Sequence, residues 1–268
     1  MGLEDFDGAQ ERLAALGLGL GQPLHLRSET TSTNDEAKAA ARAGAAHGAV
    51  WVADVQTQGR GRQGRSWLSV PGESLLMSVL LRWPCATHRL PLVSLAAGLA
   101  VHDAVATLTQ GDRHGLKWPN DIVLRVGQCQ KVAGILVESV GVGTSAPAVV
   151  VGIGINVLSK TFPDEISQRA TSLALMSDTE VSRLNVLSAI LKEVENTVPR
   201  VMAFGLGCIR DRLQKADALA GRTVRSEGGE GIAQGVDDDG RLRVRRADGT
   251  TTTWHAGEVH LASSQGIH

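Results

Sequence analysis

Seven consecutive residues, Gly59-Arg60-Gly61-Arg62-Gln63-Gly64-Arg65, place three glycines and three arginines directly after an apolar run, Ala49 to Val55, that reads as a strand. A strand that delivers the chain into such a loop makes an anion cradle: glycine lets backbone approach a ligand or turn through positive φ, and guanidinium forks supply charge and directional donors. On its own the loop equally suits RNA or a solvated surface turn. The formal net charge is only −1 over 268 residues, so the arginine cluster is a local feature and points to a small anionic ligand.

The rest of the chain sets the frame for this loop. A hydrophobic content of 43% supports a packed core, and the length suits one sizeable domain plus a small one. Thr33-Asn34-Asp35-Glu36 reads as a capping box ahead of an Ala-rich helix ending near Gly44. Strands are expected over Leu75–Leu81 and Ala148–Ile155, a helix over Leu90–Leu108, and a hairpin of Ile122–Val126 with Lys131–Val140 around a turn at Gly127. Two helices, Val186–Val198 and Ile209–Leu219, are separated by a break at Pro199. Beyond about residue 218 short alternating strands take over, at Thr223–Arg225, Ile232–Val236, Arg241–Arg245 and Thr251–Trp254, with Asp239-Gly240 and Asp248-Gly249 as hairpin turns. The sequence thus divides into 1–217, a mixed α+β domain of mostly hairpin-linked strands, and 218–268, a small β domain leaning on it. The acidic run Asp237-Asp238-Asp239 reads as a solvated corner.

Composition excludes some classes of function. Cys85, Cys129 and Cys208 are widely spaced and form no CxxC pair, which fits free thiols in a reducing compartment. The start is acidic, with no basic and apolar leader, and no apolar stretch reads as long enough to cross a bilayer. A cytoplasmic protein without a membrane partner is expected. Residues 1–28 offer one weakly amphipathic segment, around Leu13, Leu16 and Leu20, too little for a helix-turn-helix domain, so no DNA partner is expected.

Five segments, in order, carry a resemblance: Thr31-Ser32-Thr33-Asn34, the stretch Gln56 to Trp67, Lys117-Trp118-Pro119-Asn120-Asp121, Lys131-Val132-Ala133-Gly134-Ile135-Leu136-Val137-Glu138, and Gly152-Ile153-Gly154-Ile155-Asn156-Val157. Together, over roughly residues 28 to 262, they resemble the biotin protein ligases, of the short type without an N-terminal DNA-binding domain. The resemblance implies an α+β fold like the class II aminoacyl-tRNA synthetases, with a mixed sheet flanked by helices and an SH3-like C-terminal barrel. It implies a two-step reaction: biotin and ATP give biotinyl-5'-AMP and pyrophosphate, and a lysine of a biotin carboxyl carrier domain, as in acetyl-CoA carboxylase, then takes the biotin. Joining two anions requires fixed cations, with Mg²⁺, rather than a protein nucleophile.

Residue by residue, the resemblance places Ser32, Thr33, Asn34, Gln56, Gly59, Arg60, Trp67 and Gly134 at biotin. Hydroxyls and an amide suit a ureido head, which has one acceptor and two donors within an apolar bicycle. Arg62 and Lys131 are expected at both substrates as the catalytic cations, Lys131 bridging the biotin carboxylate and the α-phosphate. Arg65, Trp67, Asn120, Asp121 and Asn156 are expected at ATP, with Asp121 as a Mg²⁺ ligand. One hydroxyl of Ser32 and Thr33 is also expected to cap the following helix. Gly152-Ile153-Gly154 is no dinucleotide fingerprint, because no third glycine follows. A lipoate or octanoate ligase of the same fold is the alternative enzyme. Cys129 beside Lys131 suggests an acyltransferase, although octanoyl transferases lack the glycine-arginine motif. An RNA-binding module is the alternative outside enzymes, against which the lack of tyrosine and of a distributed basic surface weighs. Either a monomer or a homodimer is compatible with the sequence.

Overall fold

A computed structural model describes residues 2–83, 89–109, 111, 113–125, 129–144, 147–255 and 257–262. The expected turn at Gly127 and the thiol of Cys85 lie outside the described residues. The strands are β1 (Leu24–Thr30), β2 (Val50–Gln56), β3 (Ser74–Leu81), β4 (His114–Lys117), β5 (Asp121–Leu124), β6 (Gln130–Val140) and β7 (Ala148–Asn156), forming one sheet in the order β1-β2-β3-β7-β6-β5-β4. Only β1 and β2 pair in parallel, joined through a helix; every other pairing in this sheet is antiparallel.

The helices are α1 (Ala9–Ala15), α2 (Thr33–Arg42), α3 (Leu90–Thr109), the single turns α4 (Asp164–Ser167) and α5 (Leu173–Met176), α6 (Arg183–Phe204) and α7 (Arg210–Ala216). Strand alternation sorts the two faces of the sheet. On β7, Val149, Val151, Ile153 and Ile155 enter the large core with α3 and α6, whereas Ala148 and Val150 pack with Ala37 and Ala41 of α2. The α2 face carries the site.

Several sequence expectations need correction. α6 runs straight through Pro199. A proline inside a helix costs about 3 kcal/mol, but Ile190, Leu191, Val194, Val198 and Val201 are all buried, and each such side chain contributes roughly 1.5–3 kcal/mol. α7 ends at Ala216, short of Leu219. α2 has Ser32, not Thr33, at its N-cap, and no side chain caps it; Glu36 pairs with Arg27 instead (3.1 Å). α3 is, by length and composition, apolar enough to cross a membrane. It is nevertheless a core helix, with Leu95, Ala96, Leu99, Ala100 and Val105 buried in the main cluster.

The C-terminal strands β8 (Thr223–Ser226), β9 (Gly229–Val236), β10 (Leu242–Arg245), β11 (Thr251–Trp254) and β12 (His260–Leu261) form an antiparallel sheet ordered β11-β10-β9-β8-β12. It shares the core through Val224, Ala233, Leu242 and Val244. The Trp118 indole N–H donates to Gly240 O (2.9 Å), tying this sheet to the end of β4. At the other end of the chain, buried Arg183 binds Asp5 and Asp54 (2.8 and 2.6 Å), fixing the N-terminal segment against the sheet.

Candidate active site

The cavity exists because neighbouring strands in the middle of the sheet carry glycine on the face toward α2. Register aligns Leu76, Gly154, Gly134 and Asp121 on β3, β7, β6 and β5, and in the next row Ser78, Gly152 and Leu136 on β3, β7 and β6. Along the α2 face β7 therefore falls from Val150 to Gly152 to Gly154. A Cβ on Gly154 would lie 2.7 Å from the Trp67 ring, and one on Gly152 would lie 2.2 Å from Asn34 Oδ1. These glycines admit the side chains that line the cavity, which measures about 120 Å³.

A β-bulge brings Lys131 to the same face. In an unbroken strand, residues three apart point to opposite faces. Here the β5–β6 register shifts between Ile122 and Val123, and both Val132 and Ala133 are buried in the core. The extra residue turns Lys131 toward Gly134, whose Cβ would sit 2.9 Å from Lys131 Nζ. Lys131 Nζ pairs with Asp121 Oδ1 (2.8 Å) and lies 5.3 Å from the Trp67 ring centroid, a cation–π contact. Its backbone is pinned by Lys131 N to Arg169 O (2.7 Å) and Thr171 N to Lys131 O (2.9 Å).

The polar shelf stands at the start of α2. Gln56 Oε1 accepts from Thr33 N (2.7 Å) and lies 3.1 Å from Thr33 Oγ1. Ser78 Oγ lies 2.7 Å from Thr33 Oγ1 and 2.6 Å from Asn34 Oδ1. The expected helix-capping role of these hydroxyls is not observed: Thr33 keeps its hydroxyl within the shelf, against Ser78 and Gln56, and Ser32 makes no cap bond and lines the cavity.

The glycine-arginine loop closes the other side. Gly61 N to Arg65 O (2.7 Å) and Trp67 N to Gly59 O (3.0 Å) fold it, and Gln63 takes positive φ (57°) at its tip. Each arginine is held differently. Arg60 pairs with Asp35 of α2, and Arg65 pairs with Glu258 of the C-terminal region (2.6 Å). Arg62 donates to the neutral Asn120 Oδ1 (3.2 Å), whose amide is fixed by donating to Ile135 O (2.9 Å). Burial lowers the proton affinity of Arg62, against the pull of Asp121. A half-buried guanidinium bonded to an amide rather than a carboxylate is set to receive an anion.

Of the residues expected from sequence, Ser32, Thr33, Asn34, Gln56, Arg60, Arg62, Arg65, Trp67, Asn120, Asp121, Lys131 and Gly134 line this one cavity. Gly59 and Asn156 are not among its lining residues. Gly59 closes the loop from behind, and Asn156 is buried and donates Nδ2 to Thr171 O (3.0 Å). Ser78 and Glu138 were missed as site builders, although Glu138 ends the Lys131 motif. Among the described residues no group of three His, Cys, Asp or Glu is placed to hold a metal. Lys131 engages Asp121 Oδ1 (2.8 Å) and leaves the second carboxylate oxygen of Asp121 as the oxygen donor of the expected Mg²⁺ ligand.

Comparison with known proteins gives a consistent result. Residues 27–156 match the Biotin/lipoate A/B protein ligase family, and residues 221–261 match the Biotin protein ligase C terminal domain. The chain is 36% identical to a biotin--[acetyl-CoA-carboxylase] ligase of Mycobacterium tuberculosis over 94% of both chains. It is 32% identical to one of Paracoccus denitrificans, covering 81% of this chain and 92% of that one. Among solved structures, a biotin protein ligase from Aquifex aeolicus in complex with biotin and ATP superposes with a TM-score of 0.76 and 31% identity, covering 89% of this chain and 98% of that one.

Proposed function

This chain belongs to the biotin protein ligase family, and on that premise we propose that it condenses biotin with ATP to biotinyl-5'-AMP and transfers the biotin to a carrier-domain lysine. The observation that carries this reading is the conjunction, in one cavity, of an uncharged hydroxyl-amide shelf with the Lys131–Asp121 pair and Arg62. The shelf of Ser32, Thr33 and Gln56 satisfies a ureido group without burying a charge. The apolar bicycle and chain lie over Gly134 and Gly154 against Trp67.

In the first step the biotin carboxylate attacks the α-phosphorus and pyrophosphate departs. Arg62 and Lys131 meet the charge that two anions bring together. Lys131 rests on Asp121 before substrate arrives, and an ammonium on a flexible stem can follow charge from carboxylate to phosphate. Arg60 and Arg65 hold the loop to α2 and to Glu258, so that Arg62 is presented at the centre. Asp121 would be the ligand of this chain to a Mg²⁺ arriving with ATP, and the ion would supply further counter-charge to the phosphates. In the second step an incoming lysine amine displaces AMP from the mixed anhydride.

The partner on this reading is the biotin carboxyl carrier domain of acetyl-CoA carboxylase or a related carboxylase, met in the cytoplasm without DNA or a membrane. The boundary near residue 217 separates the catalytic unit from a smaller one that braces its loop. Incubation with ATP, a carrier domain and labelled biotin or octanoate tests the proposal. Labelling of the carrier by biotin alone is expected; labelling by octanoate and not by biotin would assign the chain to the lipoate or octanoate branch.

A further inference from the structure

Asn34 sits where an amide could face either way, and the shelf works in only one of them. Its side chain is 4% exposed. Its Nδ2 donates to Glu138 Oε2 (2.7 Å), and its Oδ1 lies 2.6 Å from Ser78 Oγ, against Gly152. A carboxylate only accepts hydrogen bonds. Glu138 therefore draws the NH₂ of Asn34 to itself and turns the carbonyl oxygen toward Ser78.

The orientation propagates. Ser78 has one proton, and an acceptor at Asn34 Oδ1 claims it, so the Ser78 lone pair takes the Thr33 hydroxyl proton (2.7 Å). Gln56 Oε1 stays held by Thr33 N (2.7 Å), so the Gln56 amide keeps its NH₂ for the cavity. With the amide of Asn34 reversed, Nδ2 would donate to Ser78, the Ser78 proton would turn to Thr33 and reverse the shelf, and Asn34 Oδ1 would face a carboxylate. On the outer side Glu138 Oε1 accepts from Lys38 Nζ (2.6 Å), so its charge is balanced without disturbing Asn34.

Building on the proposed reaction, we infer that Glu138 is a positioning residue: by fixing the amide of Asn34 it sets the donor and acceptor polarity of the shelf, and so the selectivity for a ureido-bearing substrate. It touches neither substrate. A charge-assisted hydrogen bond is worth roughly 1.5–3 kcal/mol, or about ten- to a hundredfold in an equilibrium constant.

The test measures calorimetric Kd for biotin and for ATP in the parent, Glu138→Leu and Lys38→Met. Biotin binding by the parent is established first, since its absence would refute the proposed function rather than this inference. Glu138→Leu should bind biotin ten to a hundred times more weakly and ATP within about threefold of the parent. Lys38→Met, which leaves the Glu138–Asn34 bond in place, should keep biotin within about threefold. If the leucine variant does not fold, Glu138→Gln keeps the volume and one acceptor but is free to present its own NH₂, and should weaken biotin by about three- to tenfold. Unchanged biotin affinity in the Glu138 variants, equal weakening of biotin and ATP, or a Lys38→Met effect as large as that of Glu138→Leu would each overturn the inference.

Discussion

Arg62 differs from the arginines on either side of it in what it is bonded to. Arg60 and Arg65 each have a carboxylate, whereas Arg62 meets the amide of Asn120. Its charge is the one left for a ligand, and Arg62→Gly removes both a charge-assisted bond and a side chain that orders the loop. At roughly 1.5–3 kcal/mol, and 1.36 kcal/mol per decade, the adenylate should leave about ten to a hundred times faster, while Lys131 sustains part of its synthesis. A released biotinyl-adenylate is a reactive anhydride. The variant should therefore biotinylate serum albumin at equal enzyme and ATP, which the parent should not. Equal selectivity and equal adenylate dissociation would move the retaining role to Arg60 or Arg65. The glycine-arginine run made this loop legible from sequence, but nothing in it separates three arginines whose roles depend on Asp35, Asn120 and Glu258, distant in the chain.

At the scale of elements, legibility followed apolar periodicity. β3, β7 and α3 stand where their apolar runs predicted, because burial on one or both faces writes itself into composition. β1 and β4 did not announce themselves. β1 is a half-exposed edge strand containing Arg27, Ser28 and Glu29, and β4 is only His114–Lys117. The placement of Lys131 ran against strand parity, since only the bulge at Val132 brings it beside Gly134; the motif named the residue, and a register shift between partner strands aims it. β4 also carries a consequence of packing. His114 is 1% exposed and packs against His102 of α3, the rings tilted at 42° with centroids 4.6 Å apart. Burial, reinforced by the charges of His102 and Arg125, pushes its pKa from 6.5 down to about 4. The folded state thus favours the neutral ring, a contribution fully present above pH 6.5 and lost as pH falls from there toward 4. The difference amounts to about 3 kcal/mol. Parent stability should fall over this window, and His114→Phe should flatten the fall; parallel Tm profiles for the two proteins would show that His114 does not titrate with unfolding.

On the scale of the molecule, the sheet, the loop and the C-terminal domain converge on one cavity. The sheet supplies a floor of glycines and aims Lys131 through a bulge, α2 supplies the neutral shelf, and the C-terminal region braces the loop through Glu258. On the proposed reaction, two substrates of like charge are brought together there by cations already held at the cavity before either arrives. Lys131 is the group on which this account depends, since it rests on Asp121 over the glycine floor, where the proposed reaction needs a cation between carboxylate and phosphate. The most direct measurement is biotin-dependent pyrophosphate release by the parent and by Lys131→Ala, with biotin affinity and circular dichroism recorded on the same samples. The account predicts loss of pyrophosphate release, by about a hundredfold or more if a preorganised charge of this kind is removed, with measurable biotin binding and an unchanged fold. Pyrophosphate release at the parental rate from folded Lys131→Ala would contradict it.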